Sequence, residues 1–151
     1  GLMDIVGRDL RARHDMIVYH SNWYDLPLAD AAMAPFSPAE RRFGVHAGDI
    51  ETSMMLAIRP AQVDMAQARD FPSTSQQRAQ DYPILGNGKS ARLAWQMQDY
   101  NPQGAAGNAA AATADKGDAL RASAGTQLAL LLAELSRLPL STLVDKPAFP
   151  H

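Results

Sequence analysis

The strongest constraint on this chain is the run Gly44-Val45-His46-Ala47-Gly48-Asp49-Ile50-Glu51-Thr52-Ser53, which passes without a break into Met54-Met55-Leu56-Ala57-Ile58 and stops at Arg59-Pro60. Its apolar positions predict a helix from about Gly48 to Ile58, ended by Arg59 and Pro60. The opening turn of such a helix carries unpaired N–H groups and a field that favours negative charge. Asp49 and Glu51 suit that place. His46 stands just ahead of it, and an imidazole can take a proton from water and return one to a leaving nitrogen. Ala47 and Gly48 leave space around the ring. Asp49 or Glu51 either orients the imidazole or simply supplies favourable charge to the first turn, and the residues alone leave both readings open.

Before this stretch, Leu2, Ile5, Val6 and Leu10 recur at helical spacing opposite Asp4, Arg8, Arg11 and Arg13, which predicts an amphipathic helix at the very start. No capping residue precedes it, so either the natural polypeptide begins earlier or the terminus is frayed. Met16-Ile17-Val18-Tyr19 reads as a short buried strand. The following His20-Ser21-Asn22-Trp23-Tyr24-Asp25 then falls at the carboxyl edge of a parallel sheet, where open α/β folds place ligands. The alternative is a loop in which a half-buried Trp23 covers the core edge. Residues 27–43 form a connection with one short turn at Ser37-Pro38-Ala39-Glu40, serine capping and proline opening it.

From about Arg69 to Gln103 the pattern dissolves into Pro, Gly, Ser, Asn and Gln with scattered aromatics. A loop this long is expected to be functional, disordered or engaged with another subunit, and the aromatics favour the last. Gly104-Ala105-Ala106-Gly107-Asn108 leads into an alanine-rich run and a long helix through Asp115-Lys116-Gly117 to Leu138. Leu120, Ala124, Leu128, Leu131, Leu135 and Leu138 form its packing stripe. Residues 139–151 carry no pattern and are expected to be a peripheral tail, leaving 1–138 as the folded portion.

Composition closes several routes. The 151 residues carry a formal net charge of −2 with no basic run, so neither nucleic acid nor an anionic membrane surface is an expected partner. The absence of cysteine removes disulfides, thiol catalysis and cysteine-ligated zinc, and cytoplasm is the expected compartment. No apolar run approaches the roughly 20 residues of a membrane span. His14, His20, His46 and His151 form no His-x-x-x-His pair and no self-contained metal site. There is no nucleophile elbow or phosphate loop; Gly104-x-x-Gly107 is either an anion-accepting turn or plain turn chemistry.

His46-Ala47-Gly48-Asp49-Ile50-Glu51-Thr52-Ser53-Met54-Met55-Leu56-Ala57-Ile58-Arg59-Pro60 resembles the signature of the creatininase (creatinine amidohydrolase) family, His-Ala/Gly-Gly-x-x-Glu-Thr-Ser-x-Met-Leu with a closing Arg-Pro or similar pair. Gly104-x-x-Gly107-Asn108 with Ala112-Thr113-Ala114-Asp115-Lys116-Gly117 resembles the family's Gly-Val-x-Gly-Asp-Pro-x-x-Ala-Thr-Ala-Glu-Lys-Gly. Ser21-Asn22-Trp23 resembles its Ser-Tyr-Trp segment. The three matches occur in the family's order.

The resemblance implies an α/β fold, the C-terminal part of a three-layer α/β/α domain. It also implies metal-dependent hydrolysis of a cyclic or linear amide C–N bond at a pair of zinc or manganese ions. His46 matches the histidine that shuttles a proton to the leaving nitrogen. Glu51 matches the signature glutamate, inferred to orient it. Trp23, with Ser21 and Asn22, matches the substrate side. The family's metal ligands come from an early Glu-x-His segment, a later aspartate and an Asn-Gly-His segment, none of which is present here. The expectation is therefore a C-terminal portion that is active only with an N-terminal portion as partner, acting on a small amide substrate within a homo-oligomer, hexameric in many members. Arg42 stands where creatinine-hydrolysing members have a second tryptophan, which argues against creatinine. The alternative is a catalytically inactive remnant or assembly subunit.

Overall fold

The computed structural model describes residues 1–146; Pro147, Pro150 and His151 lie outside the described residues. The fold is α/β, with helices α1 (Leu2–His14), α2 (Asp30–Met33), α3 (Pro38–Phe43), α4 (Asp49–Ile58), α5 (Ser75–Asp81) and α6 (Ala114–Arg137). Strands β1 (Asp70–Phe71) and β2 (Gly107–Asn108) pair antiparallel, Asp70 opposite Asn108 and Phe71 opposite Gly107. The chain divides into two compact units, Leu28–Ser123 and a second made of Gly1–Pro27 with the residues from Ala124 onward.

In the Leu28–Ser123 unit, Ala32, Phe36 and Leu120 form the buried centre, with Leu28, Met33, Ile50 and Met54 packed against it. The predicted turn at Ser37-Pro38 is the start of α3: Ser37 Oγ accepts from the Glu40 N–H at 3.0 Å, and proline occupies the first turn. The predicted helix after Gly48 is α4. The long helix starts later than the alanine-rich run, which instead forms a 3₁₀ turn at Ala109–Ala111. Its start is set by Thr113, whose N–H is taken by Ser53 Oγ at 3.1 Å and whose hydroxyl accepts from the Lys116 N–H at 3.3 Å.

The stretch read as a patternless loop from Arg69 is more ordered than expected. Its first residues are β1, and α5 follows. The excursion between the strands is closed at its neck by Thr74 N–H to Tyr100 O at 2.9 Å and Asn101 Nδ2 to Pro72 O at 3.1 Å. α5, rich in the good helix formers Gln, Arg and Ala, is tied at its N-terminal end by these bonds, and past its C-terminal end Tyr82 O accepts from the Gly86 N–H at 2.7 Å.

The other unit corrects one expectation. Met16–Tyr19 is not a strand, and the sheet present among the described residues is a two-stranded antiparallel one rather than a parallel one. The segment runs irregularly from the left-handed Asp15, with Met16 and Tyr19 exposed rather than buried. Propensity alone cannot make a strand: without a neighbour to share backbone hydrogen bonds the run has no ladder to join. α1 is the predicted first helix, but Leu2, Ile5 and Val6 on its apolar side are exposed, and Gly7 is its buried residue. Along α6, Leu120 and Ala124 are buried whereas Leu128 is exposed. Beyond α6, Arg11 donates to Val144 O and to Asp145 Oδ1, both at 3.3 Å. No described helix is long and apolar enough to cross a membrane.

α6 passes close against α4 at Gly117, where a Cβ would sit 1.9 Å from Ser53 O. Gly117→Ala should therefore destabilise the protein by about 1–3 kcal/mol in urea unfolding through forced separation of the helices. Gly125→Ala, on the same helix with nothing within 4 Å of the added methyl, should stabilise by about 0.5–1 kcal/mol.

Candidate active site

His46 leads into α4 on a loop that is fixed through its backbone. Its carbonyl accepts from the Ala106 N–H at 2.8 Å, and the N–H groups of Val45 and His46 share Ala106 O at 2.8 and 3.3 Å. The Glu51 carboxylate turns back over the loop, where it accepts from the Ala47 N–H at 2.7 Å. The same oxygen lies 3.2 Å from His46 Nδ1, with both side chains about half exposed at 58% and 49%. Negative charge beside Nδ1 favours a proton on that nitrogen and leaves Nε2 as the acceptor.

Asp49 does something else. Two residues apart on a helix is a rotation of about 200°, so Asp49 points inward where Glu51 points out. Its carboxylate is buried and receives both contacts of Lys116 Nζ, at 2.6 and 2.7 Å. Ser53 Oγ donates to it at 3.1 Å. Lys116 also donates to Ala111 O at 2.7 Å and sits 5.0 Å above the Phe36 ring. Of the two carboxylates open to the role in the sequence, Glu51 is the one beside the imidazole.

A third carboxylate supports the loop. Glu40, buried at the middle of α3, accepts from the Ile50 N–H at 3.2 Å through Oε1 and from the Asn108 N–H at 2.9 Å through Oε2. It thus caps α4 from another helix, because Gly48, the capping residue, has no side chain to do so. The glycines make room for it: a Cβ on Gly48 would lie 2.3 Å from Glu40 Oε1, and Gly107, at φ +139°, has the Gly48 Cα 2.6 Å from where its own Cβ would be.

A family model described as Creatininase, creatinine amidohydrolase, matches residues 1–132. The chain belongs to the creatininase family. A solved structure of a Bacteroides fragilis protein assigned as a creatinine amidohydrolase is similar at a TM-score of 0.68 and 25% identity, covering 91% of this chain and 51% of that one. A tryptophan-to-phenylalanine mutant of a creatininase, Type II, is similar in fold at a TM-score of 0.61 and 19% identity, covering 90% of this chain and 50% of the other. The chain thus spans about half the length of the solved creatininases it matches. No curated protein matches it.

Of the residues matched to the creatininase signatures, His46 and Glu51 are adjacent in the Leu28–Ser123 unit. Ser21, Asn22 and Trp23 belong to the other unit. There Trp23 opens a 3₁₀ turn to Asp25, Asn22 Nδ2 donates to Asp25 Oδ2 at 2.9 Å, and the Trp23 and Tyr24 rings meet edge to face at 5.8 Å. Ser21 and Asn22 are exposed and Trp23 is half-buried. The zinc or manganese pair implied by the resemblance does not fit these residues: no three His, Asp or Glu side chains are grouped to hold an ion among the described residues. Asp49 is committed to Lys116, and Glu40 to two backbone donors.

Glu40 and Lys116 were not singled out as site residues by their sequence. Ser37-x-x-Glu40 is the pattern of a capping box, but the glutamate turns away to a helix that comes later in the chain. Lys116→Met should leave the Asp49 carboxylate buried and unpaired and cost about 3–5 kcal/mol in urea unfolding. Adding Asp49→Asn to that variant should recover part of the loss, since the two effects are not independent. Additive losses would show that the pair is not coupled.

Proposed function

We propose that this chain supplies the proton-handling residues of an amide hydrolase that cleaves a cyclic or linear C–N bond. The observation that carries the reading is the His46–Glu51 pair, a half-exposed imidazole with a carboxylate 3.2 Å from Nδ1 on a loop held by Ala106. Amide cleavage requires a proton to be taken from the attacking water and one to be given to the departing nitrogen, because an amide anion is too poor a leaving group. His46 does both in turn through Nε2. Glu51 positions it by occupying the Nδ1 side while accepting from the Ala47 N–H. Membership of the creatininase family supports the amide as substrate class. On this reading Ser21, Asn22 and Trp23 lie on the substrate side, and metal ligation falls to protein beyond this chain, as does the N-terminal portion of the domain.

A second reading, a non-catalytic assembly subunit of a homo-oligomer, is favoured by the exposed apolar residues of α1, with Leu2 80% and Ile5 66% exposed. Assembly and catalysis are compatible, so turnover rather than oligomeric state separates the two. Small lactams and formamides should be hydrolysed by the assembled protein with zinc or manganese present. His46→Ala should lower kcat by ~10²- to 10⁴-fold, with partial recovery on adding imidazole. Unchanged turnover in that variant would remove His46 from the mechanism. Absence of turnover on every amide would favour the assembly reading.

A further inference from the structure

Beside the His46 loop, and within the same unit, lies a cleft of about 370 Å³ lined by Arg42, Arg78 and Arg92 together with Trp95 and Tyr100. No Asp or Glu lines it. Arg42 and Arg92 make no hydrogen bond or ion pair with any described residue; Arg42 rests on the Phe43 ring at 4.8 Å. Arg78 is held in place, donating to Thr74 Oγ1 at 3.2 Å and lying 5.4 Å from the centre of the Tyr100 ring. Three arginines and no carboxylate on one wall give the cleft a positive local potential, which favours an anion over a neutral ligand.

The aromatic part of the wall is set for a flat body. Trp95 meets Tyr100 edge to face at 5.3 Å, and Trp95 is 48% exposed, so part of an aromatic surface in the wall is open to a ligand. Guanidiniums bind phosphate and carboxylate through paired N–H donors in a plane, which a lysine cannot reproduce. Val45, which lines the cleft, is the residue before His46, and its N–H is pinned to Ala106 O at 2.8 Å. The cleft thus reaches the residue that precedes the imidazole in the chain.

We infer that this cleft binds the anionic group of a small, flat unsaturated molecule, a phosphate or a carboxylate, and that the amide substrate of the proposed reaction is of this anionic class. The second part rests on the hydrolase reading; the first does not. It also gives Arg42 a role: it presents positive charge to the substrate.

The test is binding of phenylphosphonate, benzoate and the neutral benzamide to the full chain, followed by calorimetry and by tryptophan fluorescence, with Trp95→Phe identifying the part of the quenching that comes from the cleft. Phenylphosphonate or benzoate should bind at least tenfold more tightly than benzamide, with affinity falling as salt is raised. The tighter of the two names the anion. Arg42→Gln and Arg92→Gln should each weaken the anion at least tenfold without changing the urea midpoint, while Arg121→Gln, on the surface of α6, should leave it unchanged. Equal binding of benzamide, no binding of either anion, or full affinity in both cleft variants would overturn the inference. His46→Ala should keep anion binding while losing turnover. Anion binding by the assembled protein, with zinc or manganese present, that hydrolyses no amide would sink the hydrolase reading and leave the anion site standing; hydrolysis of neutral amides with no anion binding would do the reverse.

Discussion

The Lys116–Asp49 pair is the interaction on which the arrangement of the site depends. Burying two charges costs several kcal/mol each in lost hydration, so such a pair contributes little net stability unless every donor and acceptor is engaged. Here they are: both carboxylate oxygens face the ammonium, Ser53 donates to one of them, and the remaining ammonium contacts go to Ala111 O and the Phe36 ring. The pair buys register more than energy. It fixes where the first turn of α4 stands relative to the first turn of α6, and Ser53 repeats the tie by bonding the Thr113 N–H at 3.1 Å. Because Glu51 is two positions from Asp49 on the same helix, holding Asp49 inward is what turns Glu51 out toward His46.

Glu40 extends the same logic to the backbone. One carboxylate closes the open end of α4 and the edge of β2 together, so the helix that follows His46 and the strand that follows Ala106 are joined through a single buried side chain. The glycines at 48 and 107 serve this carboxylate rather than a turn of their own. Three acidic residues thus surround the start of α4, where the helix field favours them, and each has a different duty: Glu40 caps, Asp49 anchors and Glu51 faces the imidazole.

Elements whose cause is local were legible in the sequence. α1, α4 and α6 follow from their 3.6-residue apolar pattern, and α3 from serine ahead of proline. The alternation of Glu51 and Asp49 was visible only as an open choice, because deciding it needs Lys116, which is distant in the chain. The same holds for Glu40, whose partners are Ile50 and Asn108, and for β1 and β2, each too short to show a period. Met16–Tyr19 failed for the converse reason: its composition is that of a strand, but strand formation is a property of a pair. α5 was missed because its polar sequence has no face, and it is held by the bonds of its flanks. The matched signature identified His46 and Glu51 as neighbours of interest, yet it carried no information about the arginine cleft, which is assembled from α3, α5 and the segment before Tyr100.

Ala47 has a φ of +52°, a left-handed conformation that costs an alanine about 1 kcal/mol or more. A residue remains there only while its surroundings insist on it. Both of its backbone polar groups are held by α4 itself: Glu51 takes the N–H, and Thr52 Oγ1 donates to the carbonyl at 3.3 Å. If the first turn of α4 frays, both restraints vanish at once and the alanine relaxes to an ordinary basin, swinging the peptide that follows His46. The backbone of His46 itself stays tied to Ala106, so the first turn of α4 governs the peptide after the histidine, while the bridge to Ala106 governs the one before it.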